Sequence, residues 1–187
     1  MFTGIVQAVG RIVRTNPLEI DCPGLDLADL AVGDSVCVHG VCLTVTATRP
    51  HGFTADVSEE TLRVTTGLDR PGEVNLEKSL NLGGKLGGHL VTGHVDGVGE
   101  VQQLSNGFLQ VRMPKDLGRY LARKGSVCID GVSLTVNRVD GQVFEVNLIP
   151  HTLEATTLSR LAPGARVNLE VDLIARYVER MLGERQS

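Results

Sequence analysis

The feature that most constrains this chain is an internal repeat. Residues 35–45, SVCVHGVCLTV, match residues 126–136, SVCIDGVSLTV, at eight of eleven positions and at an offset of 91. Around this segment, residues 2–12 align with residues 91–101, and PGEVNLE is answered by PGARVNLE. A repeat unit of about 90 residues is long enough to bury a core of its own. The sequence therefore predicts two similar domains built from one duplicated unit.

Each copy has the pattern of short strands. Its central segment is rich in β-branched and apolar residues and is interrupted by one glycine, Gly40 or Gly131, which is typical of a tight turn or a bulge. Further short segments, among them residues 4–9, alternate with Pro-Gly, Asn-Gly and Asp-Gly turn signals. This pattern favours a small antiparallel barrel for each copy, and so an all-β fold. The glycine-rich segment 83–88 is the predicted boundary, which gives domains of 1–88 and 89–171.

The C-terminal segment, 172–187, departs from the strand pattern and predicts a helix. After Asp172, an expected N-cap, apolar residues recur at helical spacing and form one stripe: Leu173, Ile174, Tyr177, Val178, Met181 and Leu182. Charged residues lie on the opposite side: Arg176, Glu179, Arg180 and Glu184. So broad an apolar face has to be buried somewhere. Two partners stay equally open: the chain's own barrel, or the same helix of other subunits.

The composition excludes several classes of function. A net charge of −4 with dispersed basic residues, and no Trp, argues against a nucleic-acid partner. No apolar run approaches the roughly 18 residues of a membrane span, and the first residues lack a secretory pattern, so a cytoplasmic location is expected. The four cysteines show no CxxC pair and no metal-ligand spacing, so we expect neither a metal site nor a disulfide framework. A small molecule is the expected partner.

Positions at which the two copies differ in a reactive or polar residue are the candidates for chemistry. These pairs are Cys42/Ser133, His39/Asp130, Ile5/His94 and Glu60/His151. A cysteine or histidine is more often a packed or satisfied residue than a catalytic one, and both interpretations stay open for Cys42 and His94. Positions at which the copies agree are attributed to shared barrel construction, although the hydroxyls of Thr44 and Thr135 could face a ligand.

Six motifs together resemble one known family. In chain order they are MFTGIV, GVCLTV, GGHLVTGHVDG, GVSLTV, IPHTLEATTL and ARVNLEVDLIARYVER. They are similar, in order and interval, to those of the riboflavin synthases, the duplicated lumazine-binding enzymes, and the likeness covers essentially the whole chain. The resemblance implies two similar six-stranded antiparallel Greek-key barrels plus a C-terminal α-helix. It also implies a homotrimer that assembles through these helices.

The resemblance implies an activity that uses no metal and no cofactor. Riboflavin synthases pass a four-carbon unit between two molecules of 6,7-dimethyl-8-ribityllumazine, which yields riboflavin and 5-amino-6-ribitylamino-uracil. Each active site of the family holds both molecules, between the N-terminal barrel of one subunit and the C-terminal barrel of its neighbour. The alternative is a related protein that carries a lumazine or a flavin without turnover. Which barrel holds the donor, and whether the protein associates with lumazine synthase, stay open.

The family's pocket residues map onto both copies. The first pocket is expected to comprise Gly4, Ile5, Val6, Cys42, Leu43, Thr44, Asp56, Val57, Ser58, Glu59, Glu60 and Thr61. The second is expected to comprise Gly93, His94, Val95, Ser133, Leu134, Thr135, Asn147, Leu148, Ile149, Pro150, His151 and Thr152, with Lys124 approaching the pocket of another chain. Positions near the reacting rings or in their support are matched by Phe2, Thr3, Ser35, His89 and Asp172. The chain departs from the family at His39, where a small polar residue such as asparagine is common.

The difference between Cys42 and Ser133 suits a reaction in which identical molecules take opposite roles. Holding two rings in contact can lower the barrier by ~7–11 kcal/mol. Acid/base groups can raise the rate by a further factor on the order of 10²–10⁴. The hypothesis is that His94 and Ser133 transfer protons at a methyl group, and that Cys42 activates its lumazine or helps to deprotonate it. Thr135 and Asp172 are the further catalytic candidates, and backbone amides beside the repeated threonines are expected to contact the pteridine edge.

Overall fold

Twelve strands form the framework of the part of the chain that the structure describes. The structure is a computed structural model and describes residues 1–183. The first copy forms β1 (Ala8–Thr15), β2 (Leu18–Asp21), β3 (Ser35–Val38), β4 (Val41–Arg49), β5 (Gly52–Ala55) and β6 (Gly72–Lys78). The second forms β7 (Gly97–Ser105), β8 (Phe108–Arg112), β9 (Ser126–Ile129), β10 (Val132–Asp140), β11 (Val143–Asn147) and β12 (Arg166–Val171). The sequence repeat is thus a repeat of strands.

Each set of six strands closes into an antiparallel barrel. The strand order is β1-β2-β5-β4-β3-β6 in the first barrel and, equivalently, β7-β8-β11-β10-β9-β12 in the second. The hairpins β3–β4 and β9–β10 turn at His39-Gly40 and Asp130-Gly131, where φ is +53°, +87°, +48° and +82°. A two-residue hairpin turn of this kind needs a positive φ at both positions, which glycine adopts freely. The repeated glycine is therefore a turn residue, and the predicted pair of six-stranded antiparallel barrels is confirmed.

Each barrel buries an apolar core of its own. Phe53 in the first core and Phe144 in the second occupy equivalent strands, and Ile12 corresponds in the same way to Val101. All four side chains are at most 1% exposed. Full burial of such a side chain stabilises the fold by about 1.5–3 kcal/mol relative to leaving it in water. Because each copy satisfies this requirement separately, the barrels are two packing units joined at a surface.

A pair of buried asparagines joins the barrels. Asn75 on β6 donates from Nδ2 to the carbonyl oxygen of Asp130 at 2.8 Å. Asn168 on β12 donates in the same way to the carbonyl oxygen of His39 at 2.9 Å. Each asparagine thus donates a hydrogen bond to a carbonyl oxygen in the hairpin turn of the opposite barrel. The two contacts are related by an approximate two-fold axis. We call the surface around this axis the seam.

The two hairpin turns meet at the seam. A Cβ atom added to Gly40 would lie 2.9 Å from the backbone nitrogen of Gly131, so only glycine allows the turns to approach this closely. The neighbouring side chains differ between the copies: His39 Nε2 lies 3.5 Å from Asp130 Oδ1. His39, the departure from the family pattern, is therefore a residue of the seam and contacts its own counterpart in the repeat.

The segments that precede the two barrels run along the seam. The prediction of a strand over residues 4–9 is wrong for most of its length, because β1 begins at Ala8. Phe2 pairs instead with Val91, with N–H···O distances of 2.8 and 3.1 Å in the two directions. Residues 2–7 and 91–96, which we call the first and second crossing segments, therefore lie where the two barrels meet.

Three helices lie outside the barrels within residues 1–183. They are α1 (Glu59–Val64) after β5, α2 (Pro150–Ala155) after β11, and α3 (Leu173–Gly183) at the C-terminal end. Short 3₁₀ helices cover Lys115–Tyr120 and Thr157–Arg160. No helix in this part of the chain has the length and apolar character needed to cross a bilayer. The domain limits 1–88, 89–171 and 172–187 stay a prediction.

The α3 helix turns a polar side towards the second barrel. Asp172 Oδ1 accepts a hydrogen bond from the Ile174 N–H at 2.9 Å, as a residue that caps a helix does. Further along, Arg176 donates to Asp96 Oδ2 at 2.8 Å and to the carbonyl oxygen of His94 at 3.0 Å. These polar contacts leave the apolar side of the helix facing away from the barrel.

The apolar stripe of α3 is accordingly exposed. Five of its six residues are between 46% and 63% exposed, namely Ile174, Tyr177, Val178, Met181 and Leu182, and Leu173 is partly buried. Of the two partners that the sequence left open, the chain's own barrel does not cover this face. Glu184, predicted on the opposite side, lies outside the described residues.

Candidate active site

The first crossing segment places Gly4 directly against Ser133 of the second barrel. The carbonyl oxygen of Gly4 accepts a hydrogen bond from the Ser133 N–H at 2.8 Å. A Cβ atom on Gly4 would lie 2.6 Å from Ser133 Cβ, and Gly4 has a φ of +75°, so glycine is required here on both grounds. Beyond it, Ile5 is half exposed and Val6 packs on the core of the second barrel.

The second crossing segment makes the same contacts with the first barrel. The carbonyl oxygen of Gly93 accepts a hydrogen bond from the Cys42 N–H at 2.9 Å. A Cβ atom on Gly93 would lie 2.6 Å from Cys42 Cβ, at a φ of +77°. His94 follows at an exposed position, and Val95 packs on the core of the first barrel.

These contacts correct the predicted grouping of the pockets. The sequence placed residues 4–6 with Cys42 and residues 93–95 with Ser133, whereas the structure pairs residues 4–6 with Ser133 and residues 93–95 with Cys42. The physical reason lies in the hairpins. The N–H groups of Cys42 and Ser133 point away from their hairpin partners, and a carbonyl of the opposite copy satisfies each of them. Each half of the site is thus built from both copies.

Ser133 also forms a side-chain pair with His89. Ser133 Oγ lies 2.7 Å from His89 Nδ1. His89 is 9% exposed, and its Nε2 has no hydrogen-bond partner among residues 1–183. Burial lowers the pKa of His89 from its ordinary value of 6.5, and the carboxylate of Asp172 opposes this shift. A neutral imidazole beside a hydroxyl can accept a proton from it, so this pair offers a general base.

Cys42 is the cysteine that solvent can reach. It is partly exposed, whereas the other three, Cys22, Cys37 and Cys128, are at most 1% exposed. Burial raises the pKa of the Cys22 thiol to about 11, and it raises the pKa of Cys37 and Cys128 well above their ordinary 9.0. A cysteine reacts as an accessible thiolate. Among the four thiols, Cys42 is therefore the one placed for chemistry.

Residues 56–61 lie at one end of the first barrel. Asp56, Val57 and Glu59 line a cavity of about 450 Å³ that also extends to the turn between β1 and β2. Ser58 caps α1, since its Oγ accepts a hydrogen bond from the Thr61 N–H at 3.1 Å. The local fold thus presents an exposed helix start beside an open cavity.

Residues 147–152 occupy the equivalent place in the second barrel. Leu148 is buried and donates its N–H to the carbonyl oxygen of Gly107 at 2.7 Å, while its neighbours are exposed: Asn147, Ile149, Pro150 and His151. Thr152 lies inside α2, where its carbonyl oxygen accepts the Thr156 hydroxyl at 2.7 Å. The differing pair Glu60/His151 therefore lies at the start of two exposed short helices.

The remaining predicted residues surround these features. Three of them are exposed: Thr44 on β4, Thr135 on β10, and Lys124, which precedes β9. Those that are buried belong to the cores or the seam: Phe2, Thr3, Leu43 and Leu134. Ser35 lies opposite Thr44 in the β3–β4 ladder. The threonine hydroxyls thus reach solvent next to Cys42 and Ser133, as a ligand contact would require.

Two buried carboxylates at the seam were missed by the sequence interpretation. Glu77 on β6 accepts hydrogen bonds from the first crossing segment, and Glu170 on β12 accepts them from the second. The sequence signal was VNLE, present in both copies at residues 74–77 and 167–170. Residues repeated in both copies are attributed to barrel construction, so the sequence criterion does not select these glutamates.

The reactive groups gathered near the seam are a thiol, a hydroxyl and imidazoles, which supply acid/base and nucleophilic chemistry. Within residues 1–183 there is no group of three or more His, Cys, Asp or Glu side chains that could hold a metal ion. The expectation that the chain uses neither metal nor cofactor stays a prediction.

Comparison with known proteins agrees with this geometry. The model of the lumazine binding domain matches residues 3–79 and 92–172, one match for each barrel. The riboflavin synthase of Photobacterium phosphoreum is 43% identical over 97% of this chain and 89% of its own length. That of Mycobacterium tuberculosis is 46% identical over 97% of this chain and 98% of its own length.

Among solved structures, LumP in complex with 6,7-dimethyl-8-(1'-D-ribityl) lumazine is similar at a TM-score of 0.75 and 25% identity, covering 91% of this chain and 99% of LumP. The similarity therefore extends from the sequence of each repeat to the arrangement of both barrels. On the matched repeats and the full-length relatives, this chain belongs to the riboflavin synthase family of duplicated lumazine-binding proteins.

Proposed function

We propose that this chain converts two molecules of 6,7-dimethyl-8-ribityllumazine into riboflavin and 5-amino-6-ribitylamino-uracil by transfer of a four-carbon unit. The full-length relatives that are riboflavin synthases support this activity. The structural observation that carries the proposal is a pair of related half-sites with unlike reactive groups. Cys42 lies against Gly93 in one half-site, and Ser133 lies against Gly4 in the other. A reaction between identical molecules needs a donor site and an acceptor site, and this arrangement offers two environments.

The proposed active site is completed by a second subunit. Several predicted contact residues are exposed in the single chain, among them Ile5, Thr44, Thr135 and His94. The apolar stripe of α3 is exposed as well, and a helix face of this kind packs readily against copies of itself. A homotrimer formed through α3 covers the stripe and brings the first barrel of one subunit to the second barrel of its neighbour. Lys124 then approaches the pocket of another chain.

The proposed roles follow the positions of the groups. In the second half-site, His89 holds the Ser133 hydroxyl at 2.7 Å and accepts its proton, so that Ser133 can relay a proton from a methyl group of the lumazine. In the first half-site, Cys42 and the adjoining His94 activate or deprotonate the other lumazine. The remaining contacts hold the two rings together. This positioning supplies the larger share of the rate, ~7–11 kcal/mol, in line with reactions between well-oriented groups.

A protein that only carries its ligand is the second candidate. It is favoured by the similarity to LumP, whose structure was solved with the lumazine bound. Cys42, His94, Ser133 and the exposed α3 stripe are all present in this chain, which favours catalysis instead.

We further propose a cytoplasmic location. An association with lumazine synthase stays open.

Incubation of the purified protein with 6,7-dimethyl-8-ribityllumazine alone tests the proposal. We expect riboflavin fluorescence to appear without any additive, with one riboflavin formed for about two lumazines consumed, since each turnover uses a donor and an acceptor. Sedimentation analysis is expected to give the mass of a trimer. Stoichiometric binding of lumazine with no riboflavin formed would establish the carrier function and reject the synthase.

A further inference from the structure

Glu77 and Glu170 hold the two crossing segments in the same way. Glu77 Oε1 accepts hydrogen bonds from the N–H and the hydroxyl of Thr3, both at 2.7 Å, and Oε2 accepts one from the Gly4 N–H at 2.9 Å. Glu170 repeats the set on Thr92 and Gly93 at 2.7, 2.7 and 2.9 Å. The glutamates are 4% and 2% exposed. Each therefore fixes a pair of residues with both carboxylate oxygens.

These contacts need a carboxylate rather than any side chain of that size. Three donors converge on two oxygens, and an ionised carboxylate is an acceptor only. Burial raises the pKa of Glu77, and the hydrogen bonds from Thr3 and Gly4 oppose that shift. A buried carboxylate is costly unless it is fully hydrogen-bonded, and an apolar residue would suffice for packing a barrel wall. The position therefore requires the hydrogen bonds that the glutamate makes.

Glu170 acts on the first barrel through Gly93. Gly93, whose N–H is held by Glu170, accepts the Cys42 N–H at its carbonyl oxygen and lies so close that a Cβ atom would be 2.6 Å from Cys42 Cβ. The second crossing segment therefore lies directly over Cys42. Any loosening of that segment changes how far the thiol is exposed.

Glu77 acts on the second barrel through Thr3 and Gly4. The carbonyl oxygen of Gly4 accepts the Ser133 N–H at 2.8 Å, and that of Thr3 accepts the His89 N–H at 3.1 Å. Both members of the Ser133–His89 pair are thus attached to the residues that Glu77 fixes. Thr3 and Gly4 thus connect Glu77 to the two residues whose side chains, Ser133 Oγ and His89 Nδ1, lie 2.7 Å apart.

We propose that Glu77 and Glu170 are positioning residues that act crosswise: each carboxylate, on the wall of one barrel, sets the geometry of the reactive group of the other barrel. Glu170 of the second barrel controls access to Cys42 of the first, and Glu77 of the first barrel aligns Ser133 and His89 of the second. The catalytic consequence rests on the proposed synthase function, whereas the crossed geometry does not. Neither barrel alone contains a complete half-site.

The two isosteric variants Glu170→Gln and Glu77→Gln test this, each as the matched control of the other. Glutamine keeps the shape but brings an NH₂ donor into a set of three donors, so the segment loosens. For Glu170→Gln we expect alkylation of Cys42 by iodoacetamide, followed by mass spectrometry of the peptide, to become about tenfold faster or more, since hydrogen bonds to a charged group are strong. Glu77→Gln should leave that rate within about twofold of the wild type, because its segment does not cover Cys42.

The opposite pattern is expected at His89. Its imidazole resonances, assigned with a His89→Gln variant and followed by NMR, should shift in Glu77→Gln and stay in place in Glu170→Gln. A carboxylate with a merely structural role would disturb both readouts in both variants or neither. Equal effects of the two variants on Cys42, or on His89, overturn the proposal.

A second pair of variants guards against misfolding. Thr92→Val and Thr3→Val each remove one of the three donors and nearly keep the side-chain shape, and we expect the same crossed pattern at a smaller size. Neither alkylation nor NMR requires turnover. If the wild type forms no riboflavin but the crossed pattern is observed, the synthase function fails and the positioning role stands; if riboflavin forms without the pattern, the reverse holds.

Discussion

The two half-sites at the seam share their framework and differ in the groups placed on it. In both, a glycine with positive φ covers the reactive residue and a buried glutamate fixes the covering segment. In the first half-site the covered residue is Cys42, and an exposed histidine, His94, follows the covering glycine. In the second it is Ser133, which contacts the buried His89. Duplication preserved the structure that positions the groups, and divergence changed the groups themselves.

This difference shows how one fold can hold two copies of a substrate in unlike roles. A perfectly symmetric pair of sites would present the same acid/base groups to both molecules. Here the Cys42 thiol is partly exposed, whereas the Ser133 hydroxyl contacts His89, a buried imidazole whose pKa is lowered by burial. The shared framework ensures that both sites are positioned alike, so the chemistry can differ without loss of alignment.

The largest expected effect comes from breaking the shared framework. In Gly93→Ala the new Cβ atom meets Cys42 Cβ at 2.6 Å at a φ of +77°, and Gly4→Ala does the same to Ser133 at 2.6 Å and +75°. Left-handed backbone and overpacking together should lower the free energy of unfolding by about 2–5 kcal/mol. Urea denaturation measures the loss.

Gly83→Ala is the matched control for this prediction. Its φ is +84°, but a Cβ atom there has nothing within 4 Å. It should therefore lose only the backbone contribution, about 1–2 kcal/mol. If all three variants are equally destabilised, close contact at the seam contributes nothing.

The next effect comes from making the two half-sites alike. Cys42→Ser gives both copies the same reactive residue on the same framework. We expect riboflavin formation to fall on the order of 10²-fold, while lumazine binding is kept, because acid/base or nucleophilic groups contribute this much to rate. Steady-state kinetics with a ligand titration separates the two quantities. Cys22→Ser, at a buried cysteine outside the seam, is the control, and a Cys42→Ser variant with wild-type turnover would refute the proposed role of the thiol.

The sequence predicted the framework in part and the pairing of its pieces wrongly. The repeat, the turn glycines and the alternation of strands are local signals, so two barrels followed from them. The crossing of residues 4–6 and 93–95 is a long-range pairing, and a repeat alignment assigns each segment to its own copy. Nothing in the spacing of Gly4 and Cys42 shows that a carbonyl from the other copy satisfies the Cys42 N–H.

The buried glutamates show a second limit. Identity between the copies favours shared barrel construction, and on that criterion Glu77 and Glu170 are not candidates although VNLE is repeated. Burying a carboxylate in a strand costs free energy unless it is hydrogen-bonded. A glutamate repeated within an apolar strand segment therefore indicates a residue with specific hydrogen-bond partners. His89 was found through the family motif, but its contact with Ser133 needed coordinates, because the two residues are 44 positions apart.

A smaller effect should distinguish the two asparagines of the seam. Asn168 Nδ2 donates to two carbonyl oxygens, those of His39 and Thr66, both at 2.9 Å, whereas Asn75 Nδ2 donates to that of Asp130 at 2.8 Å. Replacement by Ala leaves these carbonyls, which lie in buried or partly buried contacts, without their donor, at a cost of about 1–3 kcal/mol. We expect Asn168→Ala to lose about 1 kcal/mol more than Asn75→Ala in urea denaturation, the value of one further hydrogen bond. Equal losses would contradict the unequal hydrogen bonding.

The smallest effect is a pH dependence confined to the second half-site. Burial lowers the pKa of His89 from its ordinary 6.5, against the opposing influence of Asp172. As the pH falls below 6.5, the unfolded chain binds a proton at His89 before the folded chain does, so the unfolded state is favoured. The contribution of His89 to stability is therefore fully present above that pH and is lost as the pH decreases below it.

His89→Gln isolates this contribution, since the amide can still contact Ser133 but does not titrate. The free energy of unfolding of the wild type should fall relative to that of the variant between neutral pH and mildly acidic pH, by at most about 1.4 kcal/mol per pH unit for one proton. Urea denaturation of both proteins at matched concentration measures the difference. The other four histidines are common to both proteins, so their titration cancels in the comparison. Parallel pH profiles would mean that the pKa of His89 is the same in the folded protein as in the unfolded chain. The Ser133 half-site would then have no buried neutral base to distinguish it from the Cys42 half-site.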